Sequence, residues 1–158
     1  MFVYQRLLYK TVKDSKRNTE FIIDASVVVK WLCRDREQFL EHSDAILYAF
    51  RKEKFELYSP ELLLYEVGNA LLKGKSLTLQ DARVAFATLF YFEIHFVSID
   101  SKLSQKSYEI AQKIGVTFYD AVYLALAAKF DVPLITANPK HHNNLNGVDV
   151  VPLDKWGV

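Results

Sequence analysis

Three strand-like runs in this chain are short, apolar and without alternation, Phe21-Ile22-Ile23 first among them, and single helices or helix pairs separate the strands. Strands buried on both faces have this pattern, and a parallel sheet covered by helices is the architecture that buries them. Strands are expected at Phe21–Ile23, Phe55–Tyr58, His95–Ile99, Pro133–Thr136 and Val148–Val151. Helices are expected from about Ser26, then over Glu37–Lys52, Leu62–Leu72, Thr78–Tyr91, Ser101–Ile114 and Tyr119–Phe130. Ser59 reads as the N-cap of the third helix, with Pro60 at its first position, where a missing N–H costs nothing. The expected fold is α/β, a three-layer α/β/α sandwich around a central, mainly parallel sheet.

A length of 158 residues suits one domain. Met1–Glu20 reads as a basic N-terminal extension, carrying Arg6, Lys10, Lys13, Lys16 and Arg17, and residues 21–158 as the domain proper. Lys plus Arg number 20 against 19 Asp plus Glu, a net charge of +1, which excludes a protein that holds nucleic acid by bulk positive charge. Cys33 is the single cysteine, so neither an internal disulfide nor a Cys-based zinc site can form, and a reducing, cytoplasmic setting is expected. Gln5 and Arg6 interrupt any signal-like apolar stretch, and the longest apolar run, Ala121–Ala128, is far short of a membrane span.

In an open parallel sheet, ligands bind beyond the carboxyl ends of the strands. Asp24 follows Phe21-Ile22-Ile23, and Asn138 follows Leu134-Ile135-Thr136-Ala137. Glu66 and Asp120 lie on otherwise apolar helical segments, where a carboxylate is costly unless paired or bound to a metal. Each has a structural reading as well. Asp24 can cap a helix, Asp120 can complete a capping box with Thr117, and Glu66 can pair with Lys73 or face solvent. Taken together, three acids and an amide describe an oxygen-rich site for Mg²⁺ or Mn²⁺.

The blocks Ile23-Asp24-Ala25-Ser26-Val27, Pro60 to Leu71, Tyr119 to Ala127 and Leu134 to Asn138 resemble, in order, those of PIN-domain proteins, above all VapC-type toxins. The resemblance implies a metal-dependent endoribonuclease with Asp24, Glu66 and Asp120 as ligands of Mg²⁺ or Mn²⁺. The fourth family position is usually Asp, and here Asn138 brings an amide oxygen without charge. Ser26 and Thr136 match small hydroxyl positions near the family site; capping and strand-end hydrogen bonding are their structural reading. The resemblance also implies a homodimer and a cognate antitoxin protein that covers the acidic cleft.

Phosphodiester hydrolysis needs an activated water and stabilised phosphoryl charge, and a carboxylate-bound Mg²⁺ supplies both. Asn69, three residues after Glu66, could orient that carboxylate or simply face solvent. Lys30 and Lys140 are weak candidates for phosphate contact, with a solvated helix face the commoner role for Lys30. His141 and His142 lack a third ligand for zinc. Trp31, Tyr65 and Tyr123 read as core or interface aromatics, and Phe86, Phe90, Tyr91 and Phe92 as an exposed patch for a protein partner. The runner-up function is a catalytically weak or inactive PIN-fold module that binds RNA or protein, motivated by Asn138. A phosphatase-type enzyme is disfavoured, because the five glycines form no phosphate-binding loop.

Overall fold

The computed structural model describes residues 19–141 and 145–157. Its strands are β1 (Thr19–Ile23), β2 (Phe55–Pro60), β3 (His95–Val97), β4 (Leu134–Thr136) and β5 (Val150–Pro152). They form one sheet in the order β3-β2-β1-β4-β5, every neighbour parallel. Its main helices are α1 (Ala25–Leu32), α2 (Leu40–Arg51), α3 (Leu62–Asn69), α4 (Leu79–Tyr91), α5 (Ser101–Ile114) and α6 (Phe118–Phe130).

Side-chain alternation along β1 places a core on each face. Ile23, with Leu57 and Ile135, joins Val27, Ile46, Leu63 and Leu89 from α1 to α4. Ile22, with Leu134, joins Leu103, Ile110, Leu124 and Leu126 from α5 and α6. Ile22 and Ile23 are both fully buried, each contributing roughly 1.5–3 kcal/mol of hydrophobic stabilisation. The two cores explain why β1 is apolar throughout its buried half and why α6 is apolar on nearly every side: seven consecutive residues, Ala121 to Ala127, are buried.

The expected α/β/α sandwich is therefore present, with local corrections. β1 begins at Thr19, so Thr19 and Glu20 belong to the sheet, pairing with Phe55 and Glu56; the rest of the expected extension lies outside the described residues. Ser59 and Pro60 are not the helix start. They extend β2, paired with Phe96 and Val97 of β3, and the buried Ser59 hydroxyl donates to the carbonyl of Ile23 at 2.9 Å. The helix begins at Leu62 with no side-chain cap, then widens into a π turn over Ala70–Gly74. α2 starts at Leu40, because Phe39 adopts a left-handed conformation (φ 55°) that interrupts a helix from Glu37. Among the described residues no helix is long and apolar enough to cross a membrane.

Candidate active site

The chain leaves β1 at Ile23 and enters α1 at Ala25, which puts Asp24 at the N-cap with its backbone N–H bonded to the Ile135 carbonyl of β4 at 3.0 Å. Asp24 is only 6% exposed, and hydroxyl groups satisfy its carboxylate. The Thr136 hydroxyl donates to Oδ2 at 2.5 Å and the Ser26 hydroxyl donates to the same oxygen at 2.9 Å. The Ser26 N–H approaches Oδ1 at 3.4 Å. Both hydroxyls in turn accept backbone N–H groups from the turn after β4: Ala137 N–H to Ser26 Oγ and Asn138 N–H to Thr136 Oγ1, each at 3.0 Å. With those lone pairs occupied, each hydroxyl proton is directed at the carboxylate. The capping role of Asp24 and its place at a strand end are thus one arrangement, not alternatives.

Glu66, half-buried on α3, accepts a hydrogen bond from the Tyr123 hydroxyl at 2.5 Å. Tyr123 sits on α6 and is 1% exposed. Burial, then the negative charges of Asp24 and Glu66, then that hydrogen bond raise its phenol well above the ordinary value, while the Ala25 N–H acts in the opposite direction. Tyr123 therefore stays protonated as a donor, and the fields of two predicted acids converge on one hydroxyl. Reading Tyr123 as a core aromatic captured its ring and missed its hydroxyl. The signal was available in kind: a buried tyrosine needs a partner for its O–H.

Asp120 lies in the first turn of α6, one turn before Tyr123 and on the same side. It is partly exposed, and its carboxylate accepts from the Thr117 hydroxyl at 2.6 Å while its N–H donates back at 3.1 Å. The Thr117 arm of the expected capping box is thus formed, while the Asp120 carboxylate takes the Thr117 hydroxyl. Asn138 has an exposed side chain and enters the network through its backbone N–H. Asn69 is exposed at the end of α3, and Lys140 is exposed in the turn Pro139–His141. The side chains of His141 and His142 lie outside the described residues.

Lys30 is corrected. It is 6% exposed, and its ammonium lies 2.5 Å from Glu37, so neither a solvated face nor phosphate contact describes it. Lys75 pairs with the other Glu37 oxygen at 2.6 Å. Burial raises the Glu37 carboxyl, and the hydrogen bonds and charges of Lys30 and Lys75 outweigh it, leaving the group below its ordinary value. Tyr65, expected as a core or interface aromatic, is 76% exposed and so does not belong to the core. Of the aromatic patch, Phe90 and Tyr91 face solvent, Phe86 is half-buried, and Phe92 is buried against Trp31 with ring centres 5.5 Å apart.

Among the described residues no three His, Cys, Asp or Glu side chains are grouped as a ready-made cage for a metal. The oxygen donors at this end of the sheet still fit a hard cation such as Mg²⁺, which keeps most of its waters and takes only one or two carboxylates from a protein. Glu66, hydrogen-bonded to Tyr123, and Asp24, whose charge acts on the same phenol, meet that requirement.

Comparison with known proteins follows the same lines. The chain is 32% identical over 124 residues to Ribonuclease VapC1 of Mycobacterium tuberculosis, a match covering 77% of this chain and 87% of the relative. Its fold is similar to that of a toxin–antitoxin complex from Klebsiella pneumoniae (TM-score 0.59, 19% identity, 84% of this chain and 96% of the other). It is also similar to VapC20 of Mycobacterium tuberculosis, described as a sarcin–ricin loop cleaving toxin (TM-score 0.59, 13% identity, 72% and 86% coverage). At those identities the two structures establish the fold. The profile described as PIN domain matches residues 21–145, and with the curated relative it makes this chain a member of the PIN-domain family.

Proposed function

We propose that this PIN-domain chain is an endoribonuclease that hydrolyses RNA phosphodiester bonds with Mg²⁺ or Mn²⁺ bound, and that it is the toxin of a toxin–antitoxin pair. The observation that carries the reading is Asp24, a nearly buried carboxylate at the carboxyl end of β1 on which two hydroxyls converge. The ribonuclease relative and the toxin–antitoxin structures support it. Asp24 and Glu66 would hold the ion, with Asp120 and the Asn138 amide as further oxygen donors. When bound, the ion acidifies a coordinated water and neutralises charge on the phosphoryl group.

The protein's own groups do the positioning. Ser26 and Thr136 fix the Asp24 carboxylate in one orientation, so no reorganisation is needed when ligand arrives. Asn69, one turn after Glu66, orients that carboxylate, and exposed Lys140 offers a cation to the RNA backbone. The acids repel RNA in the absence of the ion, so binding should depend on the metal. A cognate antitoxin covers the acidic end of the sheet, and exposed Phe90 and Tyr91 contribute to a homodimer contact.

The test is cleavage of a labelled RNA by the purified chain with EDTA and then with Mg²⁺ added back. Cleavage should require the ion and vanish in Asp24→Asn and Asp120→Asn. Cleavage that persists in both variants, once contaminating nuclease is removed, refutes the proposal. The uncharged, exposed Asn138 favours a second reading, a catalytically weak RNA- or protein-binding module. A large gain in metal affinity and cleavage on Asn138→Asp supports that second reading.

A further inference from the structure

Tyr123 is the one hydroxyl-bearing side chain in the buried run Ala121 to Ala127. A phenyl ring would fill the same space, so packing alone does not account for the oxygen. A phenol has one proton to donate, and here it goes to Glu66 Oε2 at 2.5 Å. That hydrogen bond ties α6 to the carboxylate on α3, and the N–H of Ala25, the first residue of α1, acts on the same phenol. Asp24 caps that same helix start, and its charge acts on the same phenol.

We propose that Tyr123 is a positioning residue of the metal site, its hydroxyl holding the Glu66 carboxylate at a fixed place relative to Asp24. This rests on the functional reading above and adds to it a residue outside the matched acids and hydroxyls. A carboxylate on a helix surface samples several rotamers, and one donor anchored to a second helix selects among them. The phenol holds the carboxylate through Oε2. Hydrogen-bond partners of ligating carboxylates typically influence metal affinity by about 10–100-fold.

The experiment titrates Mn²⁺ into the full-length protein by calorimetry, without RNA, for wild type, Tyr123→Phe, Glu66→Gln and the double variant. Tyr123→Phe should bind Mn²⁺ about 10–100-fold more weakly. Raising the metal concentration should then recover most of kcat for RNA cleavage. In the Glu66→Gln background the same change should have no further effect, because Tyr123 acts through Glu66. Should Tyr123→Phe fold poorly, 3-fluorotyrosine at position 123 keeps the hydroxyl and should preserve wild-type Mn²⁺ affinity. A Tyr123→Phe protein that only melts earlier, with unchanged Mn²⁺ affinity, overturns the inference and leaves the functional reading standing. A wild type that binds no Mn²⁺ overturns both.

Discussion

At the amino ends of β2 and β3, Glu53, Glu56 and Glu93 border a cavity of about 510 Å³ with Phe55, Tyr91 and His95, whereas the predicted acids lie at the opposite end of the sheet. Both ends contain a tyrosine that donates to a glutamate. At the amino end Tyr58 donates to Glu56 at 3.0 Å, two residues away on the same strand. At the carboxyl end Tyr123 donates to Glu66 across 57 positions of sequence and two helices. The local pair orients side chains on one strand edge, and the distant pair fixes the relative placement of elements that carry the acids. A cavity by itself points to the amino end, whereas hydroxyl donors aimed at the Asp24 and Glu66 carboxylates point to the carboxyl end, where the site is proposed.

Asp24→Asn should cause the largest change, reducing RNA cleavage to background in a gel assay with Mg²⁺. Thr136→Val comes next. It keeps the shape of a fully buried residue, but deprives Asp24 of one donor and the Asn138 N–H of its acceptor. Cleavage should fall about 10–100-fold, and urea unfolding should show a loss of about 1–3 kcal/mol.

Glu37→Gln probes the support beneath the site, since Lys30 lies on α1 and Lys75 directly follows the π turn after α3. Two ammonium groups would lose their shared carboxylate. The cost should be about 2 kcal/mol, below the 3–5 typical of fully buried pairs because these groups keep some solvent. The Glu37 carboxyl is held below its ordinary value of 4.5, so its stabilisation is complete above that pH and is lost as pH falls through the folded-state value. Thermal unfolding of wild type should show that acid loss below about pH 4.5, and Glu37→Gln should lack it. The smallest effect belongs to the amino end. Exposed Glu93→Gln should shift stability by less than about 0.5 kcal/mol and leave cleavage unchanged.

What the sequence made legible was mostly local. The apolar strands β1 and β4, the helices begun by Thr78 and Thr117, and the placement of Asp24 beside Ser26 all follow from neighbouring residues. Ser59-Pro60 misleads because the dipeptide suits a helix start, while pairing of β2 with distant β3 decides that it ends a strand. Lys30 misleads because its partner, Glu37, sits in a loop whose path no periodicity reports. The partner of the Tyr123 hydroxyl is hidden for the same reason: a helical pattern predicts a buried ring whose O–H needs an acceptor, and only the packing of α3 decides which acceptor it meets.

The most direct measurement compares Mg²⁺-dependent RNA cleavage by wild type, Asp24→Asn and Glu56→Gln under one set of conditions. The carboxyl-end site predicts cleavage by wild type and Glu56→Gln at similar rates and none by Asp24→Asn. Undiminished cleavage by Asp24→Asn, or its loss in Glu56→Gln, contradicts it.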